Sequence, residues 1–125
     1  MKLTKVTPIY YVDRIEPALA FYAALGFEKT VEVKHGDRVG FVILVHAERE
    51  LMLQTRASLN DDLALEGLEP ACALYCDVDS LADARAAAKG ARVLVAERST
   101  PYGALETWVL DPSGTLVGFA EHRRV

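Results

Sequence analysis

The side chains that most often carry chemistry are scarce in this chain. Its 125 residues hold three His, two Cys and one Trp. Imidazole, thiolate and indole chemistry must therefore use His35, His46, His122, Cys72, Cys76 and Trp108. The histidines fall on separate segments. His35 opens the turn-forming run His35-Gly36-Asp37, His46 ends an apolar run, and His122 precedes Arg123-Arg124 in a tail expected to fray. Isolated in this way they read as surface residues, and no H-E-x-x-H, G-x-S-x-G or phosphate-binding glycine loop accompanies them. Cys72 and Cys76 are four apart in an alternating segment. On a strand that spacing separates their Cα atoms by about 13 Å, beyond disulfide reach. The C-x₂-C spacing of a zinc site is missing. They read as small apolar side chains in a reducing compartment, the cytoplasm.

Trp108 lies two residues after Glu106, so on a strand the two share a face. A carboxylate on an inner strand face is unexpected unless it is paired or solvated. Three roles suit it: acceptor for a ligand amine, general base, or partner of an arginine, with Arg98 and Arg38 as candidates. Trp108 suits stacking on a flat ligand. Tyr11 and Tyr75 occupy strand-like segments, where aromatic side chains are common packing residues.

These residues need elements to position them, and the chain supplies alternating strands and helices. Lys2–Val12 reads as a strand, with Pro8 favouring an edge position or a bulge. Ile15–Leu25 reads as a helix with Pro17 in its first turn, an apolar stripe of Ile15, Leu19, Tyr22 and Leu25, and Gly26 as the stop. Strands are expected at Phe27–Lys34, Val39–His46 and Leu51–Thr55. Arg56–Glu69 is polar and reads as a linker with a short helix. The order then repeats: strand Ala71–Val78, helix Ser80–Lys89 capped by Asp79 or Ser80, and strands Arg92–Glu97, Ala104–Leu110 and Thr115–His122. A shift of 64 residues superposes Tyr11 on Tyr75, Asp13 on Asp77, Gly26 on Gly90 and Val31 on Val95. The domain therefore divides into module 1 (about 1–56), a linker (57–69) and module 2 (about 70–125). Each half is too short to bury a good core alone.

Composition excludes other classes. Half the chain is hydrophobic, 51%, which excludes disorder, and no apolar run is long enough to cross a bilayer. The first eight residues lack the apolar core of a signal peptide. Net charge is −4, and no basic groove accompanies the aromatics, so neither nucleic acid nor a membrane is an expected partner.

The strand–helix–three-strand duplication, together with Phe21-Tyr-Ala-Ala-Leu-Gly-Phe27 and Asp111-Pro-Ser-Gly114, resembles the vicinal oxygen chelate superfamily. That group includes glyoxalase I, extradiol dioxygenases, and the fosfomycin- and bleomycin-resistance proteins. The resemblance implies an α+β fold of two βαβββ modules, forming curled mixed sheets with helices on the outer face. In metal-dependent members four strands supply His, Gln or Glu ligands. Carried onto this chain, those positions fall on Thr7, Met52, Ala71 and Gly118, with Ala73 as the alternative register for Ala71. A hydroxyl, a thioether and two positions without a donor do not make a divalent-cation site, so no metal and no other cofactor is expected. Period two then brings Tyr11, Gln54, Tyr75, Glu106 and Trp108 onto the concave side with Met52. Such a surface suits a small flat or partly apolar organic ligand.

What the resemblance implies is a homodimeric, metal-free protein of the bleomycin-resistance type, sequestering an aromatic or cationic molecule. The competing reading is a metal-independent isomerase or lyase using Glu106, with Tyr11 or Tyr75, as acid and base. A third is an interaction module without a small ligand.

Overall fold

The computed structural model describes residues 1–63, 65 and 67–123. Among them the elements are β1 (Leu3–Val12), α1 (Glu16–Ala24), β2 (Glu28–His35), β3 (Arg38–His46), β4 (Arg49–Thr55), α2 (Arg56–Asp62), β5 (Cys72–Val78), α3 (Leu81–Ala87), β6 (Arg92–Ser99), β7 (Ala104–Leu110) and β8 (Leu116–His122). The strand–helix–three-strand order occurs twice. The class is α+β, with a mixed sheet in the order β2-β3-β4-β1-β5-β8-β7-β6 that does not close. The polar stretch after β4 opens with α2, capped by the Thr55 hydroxyl, which accepts the Ser58 N–H at 3.1 Å. Residues 64 and 66 of the expected linker lie outside the described residues.

The chain divides into two units. One is Pro8–Ala71, here the N-unit; the other is Met1–Thr7 with Cys72–Val125, here the C-unit. In the N-unit, β2, β3 and β4 are antiparallel, and residues 9–12 of β1 run parallel to β4, from Ile9 opposite Met52 to Val12 opposite Thr55. The alternate residues Val42, Leu44, Leu51 and Leu53 pack with Ile15 into a core. Leu19, Tyr22 and Phe27 close over it, as the helical stripe requires. Burying each such side chain contributes roughly 1.5–3 kcal/mol. Leu25 departs from the expected stripe and is exposed, because the helix ends at Ala24 and Leu25 is already its cap. Gly26 stops the helix at φ +99°, and a Cβ there would sit 2.7 Å from His46 Nδ1. That imidazole nitrogen instead meets the Gly26 carbonyl at 2.9 Å.

Pro8 was expected at an edge or bulge, yet β1 is internal in the strand order. The chain passes from one unit to the other at this residue. The missing N–H therefore falls at a join, before the β4 register begins at Ile9.

In the C-unit, residues 1–7 run alongside the later chain. The Asp79 N–H donates to the Lys2 carbonyl at 3.1 Å, and the Thr4 hydroxyl donates to the Asp77 carbonyl at 3.1 Å. Strands β5 and β8 are parallel, while β6–β7 and β7–β8 are antiparallel. Of the two cap candidates, Ser80 caps α3: its hydroxyl accepts the Asp83 N–H at 3.2 Å. Helix α3 packs on β7 and β8 through the buried Leu81 and Ala84. The Asp111 carboxylate accepts the N–H groups of Ser113 and Thr115 at 2.8 and 2.9 Å, which shapes the turn before β8. His122 does not fray: it ends β8, and its Nε2 lies 2.7 Å from the Asp77 carboxylate. Both cysteines are free thiols, and burial, with the Asp77 charge, pushes the Cys76 thiol up. No helix among the described residues is long and apolar enough to cross a membrane.

Candidate functional site

The antiparallel register of β6, β7 and β8 fixes which C-unit side chains meet. Tyr75, Gly118 and Trp108 are partners in one row across β5, β8 and β7. In the neighbouring register Glu106 stands opposite Arg98 on β6. Trp108 is 4% exposed, and its indole lies over the backbone of Gly118, where a Cβ would come within 2.7 Å of the ring. The Tyr75 and Trp108 rings meet at 5.8 Å between centroids, tilted by 46°.

Glu106 is fully buried and is the hub of this group. One carboxylate oxygen accepts Arg98 Nε at 2.8 Å and Trp108 Nε1 at 2.9 Å. The other accepts the Tyr102 hydroxyl at 2.6 Å and the Tyr75 hydroxyl. Burial alone would push the carboxyl up, but Tyr102, Tyr75, Trp108 and Arg98 all donate to it. Together they hold it below the usual carboxylate range. The tyrosines respond in the opposite sense. Burial and the Glu106 carboxylate push Tyr102 up to about 12 and push Tyr75 up as well.

Four donors match the roughly four lone-pair sites of a carboxylate. The group is therefore satisfied, and accepting a proton would require a donor to leave. Its geometry suits anchoring. It fixes three aromatic side chains by their polar atoms, while Tyr102 as a residue remains 61% exposed, its ring 6.4 Å from that of His122.

Of the sequence-predicted residues, the structure brings Tyr75, Glu106 and Trp108 together in the C-unit. Of the two candidate arginines, Arg98 is the partner; Arg38 begins β3 in the N-unit. Tyr11, Met52 and Gln54 all lie in the N-unit. Tyr11 is opposite Gln54, and Met52 is opposite Ile9. Tyr11 and Gln54 are buried, Met52 is half-buried, and the Gln54 amide donates to Ser58 Oγ at 3.0 Å. Tyr102 was missed. Its signal is its place in the β6–β7 turn four residues before Glu106, where the Gly103 φ of +85° helps the chain reverse.

The positions that correspond to metal ligands in the resembled group do not fit a divalent cation. Thr7 Oγ1 is buried without a hydrogen-bond partner among the described residues. Met52 offers a thioether, Ala71 a methyl group, and Gly118 no side chain under the Trp108 ring. Among the described residues no three His, Cys, Asp or Glu side chains gather. The histidines serve local contacts: His35 Nε2 lies 2.6 Å from Asp61, while His46 and His122 hold the Gly26 and Asp77 contacts.

A family model, the Glyoxalase/Bleomycin resistance protein/Dioxygenase superfamily, matches residues 3–119. Among solved structures, a superfamily member from Vibrio splendidus 12B01 is 21% identical, with a TM-score of 0.71, covering 96% of this chain and 99% of its own. A methylmalonyl-CoA epimerase from Mycobacterium tuberculosis is 19% identical, with a TM-score of 0.70, covering 98% and 90%. A protein from Staphylococcus aureus is 19% identical, with a TM-score of 0.69, covering 98% and 100%. At these identities the likeness is one of fold. No curated protein matches the chain.

Proposed function

Because the chain belongs to the glyoxalase/bleomycin resistance protein/dioxygenase superfamily, whose shared fold does not fix one reaction, we propose that it binds rather than transforms its ligand. In this reading it is a metal-independent, cytoplasmic homodimer. It sequesters an aromatic or cationic small molecule, as an antibiotic-resistance protein does. The observation that carries the reading is Glu106: one saturated carboxylate holds Tyr75, Tyr102 and Trp108 in fixed positions. Pre-set aromatic rings bind a flat ligand without first losing side-chain entropy. The exposed Tyr102 face also suits a cation. The ligand-position residues Thr7, Met52, Ala71 and Gly118 support metal independence through their donor chemistry. Free Cys72 and Cys76 support a reducing compartment. Tyr11, Met52 and Gln54 are the N-unit candidates for ligand contact.

Trp108 is the sole tryptophan, so its fluorescence reports on this face. Titration with metal-free bleomycin, and with a panel of planar organic cations in excess chelator, is expected to give saturable quenching with the ligand recovered intact. Tyr102→Ala should weaken binding about tenfold, the scale of one lost aromatic contact. Binding that needs an added divalent cation, or recovery of altered ligand, would falsify the proposal. Absence of saturable quenching across the panel would overturn it equally.

A further inference from the structure

On the helix-covered side of the C-unit lies a cavity of about 180 Å³. Its floor is the buried Thr107 and Val109 with the half-buried Phe119, and Ala88 and Ala91 form the wall at the end of α3. Exposed Val93, Ala96 and Lys89 ring the mouth. This place is distinct from the face that carries Glu106 and Trp108, since Thr107 and Val109 alternate with them along β7.

The duplication explains why the space is there. In module 1 the helix–sheet seam is filled by Tyr22 and Phe27, whose rings meet edge-to-face at 6.0 Å. Sixty-four positions on from Phe27 stands Ala91, which lines this cavity, whereas Ala86, the counterpart of Tyr22, is exposed and does not. The second seam has the same elements without the Phe27 ring. An apolar cavity of about 150 Å³ suffices to take a benzene ring. The polar groups at the wall are already occupied. Arg85 donates to Thr107 Oγ1, the Ala96 carbonyl and Glu97, each at 2.9 Å. The Thr107 hydroxyl donates to the Ala96 carbonyl at 2.8 Å. Lys89 makes no ion pair among the described residues and stands at the mouth as an uncommitted cation.

We propose that this cavity is a second ligand site, taking a monocyclic aromatic carboxylate with its ring in the space that Phe27 fills in module 1 and its carboxylate at Lys89. The ring gains apolar burial against Val93, Val109 and Phe119, and Lys89 at the rim selects an acid over a neutral ring.

Benzoate titrated into the whole chain, followed by NMR, tests this. Saturable shifts are expected at the Val93 and Val109 methyls and at Phe119, with the Trp108 indole N–H unmoved. Ala91→Phe, which restores the module 1 residue, should abolish the shifts and raise the thermal midpoint. Lys89→Met should weaken benzoate two- to fivefold, about the worth of an exposed ion pair, and leave toluene binding unchanged. If Ala91→Phe fails to fold, Ala88→Leu fills the same wall and carries the same expectation. Absence of saturable shifts at these methyls, benzoate binding unchanged in the filled variant, or toluene binding as tightly as benzoate in the wild type each overturns it. Shifts centred on Trp108 would assign benzoate to the other face and overturn this site while leaving the sequestration reading standing.

Discussion

Glu106 shows how a single buried charge sets the pH range of its surroundings. A carboxyl held below its usual value contributes stability that is present above its unfolded-state value, near 4.5, and is lost as pH falls toward the folded value. Tyr75 and Tyr102 are held above 10, so they contribute stability below pH 10 that is lost as pH rises further. Urea midpoints measured against pH should therefore form a plateau that falls at both ends. Glu106→Gln should remove the acid limb attributable to this group. It should also cost about 3 kcal/mol at neutral pH, because the buried Arg98–Glu106 ion pair is broken. Tyr75→Phe should shrink the alkaline fall. A wild-type and Glu106→Gln pair with the same acid limb would remove Glu106 from this role. The sequence left Arg98 and Arg38 both open as partners, and the β6–β7 register, which sets Arg98 opposite Glu106, decides between them. Tyr102 was not legible, since strand periodicity says nothing about a turn residue that folds its side chain back.

Among the elements, β7 and β8 carry a tight fit that the sequence marks only as a glycine. Ala at a strand position usually improves on Gly by roughly 0.5–1 kcal/mol. At Gly118 the sign should reverse. The new methyl meets Trp108 at 2.7 Å, and the Glu106 hydrogen bond keeps the indole from moving aside. Gly118→Ala is expected to destabilise the protein by about 1–3 kcal/mol and to shift the Trp108 emission maximum. A stabilised variant with unchanged emission would show that the ring gives way freely. The strands themselves were legible as short apolar runs rich in β-branched and aromatic residues, bounded by turn residues. The α1 helix was legible from Pro17 and Gly26. Leu25 and Pro8 were misread for a common reason: each lies where one environment ends and another begins, and periodicity assumes that the environment continues.

For the molecule as a whole, the proposed assembly is a pair of identical chains. In the N-unit Phe21 and Leu25 on the α1 side, and Val31 and Val33 on β2, are exposed large apolar side chains, the kind of surface a partner covers. Sedimentation at micromolar concentration should give twice the 13.7 kDa chain mass. Val33→Glu should return the single-chain mass if β2 takes part. A single-chain mass at every concentration for the wild type would rule the dimer out. Little at this scale was legible from residue order, because exposure depends on which strand ends at an edge. The division of β1 between the units has a consequence in time. Residues 1–7 leave the ribosome before their partners in the C-unit, which begin at Cys72. The N-unit can form while synthesis continues, but the opening strand must wait through some seventy further residues with its backbone groups unmatched. The nascent chain is thus exposed to mispairing along residues 1–7, and a segment made much later closes the unit to which they belong.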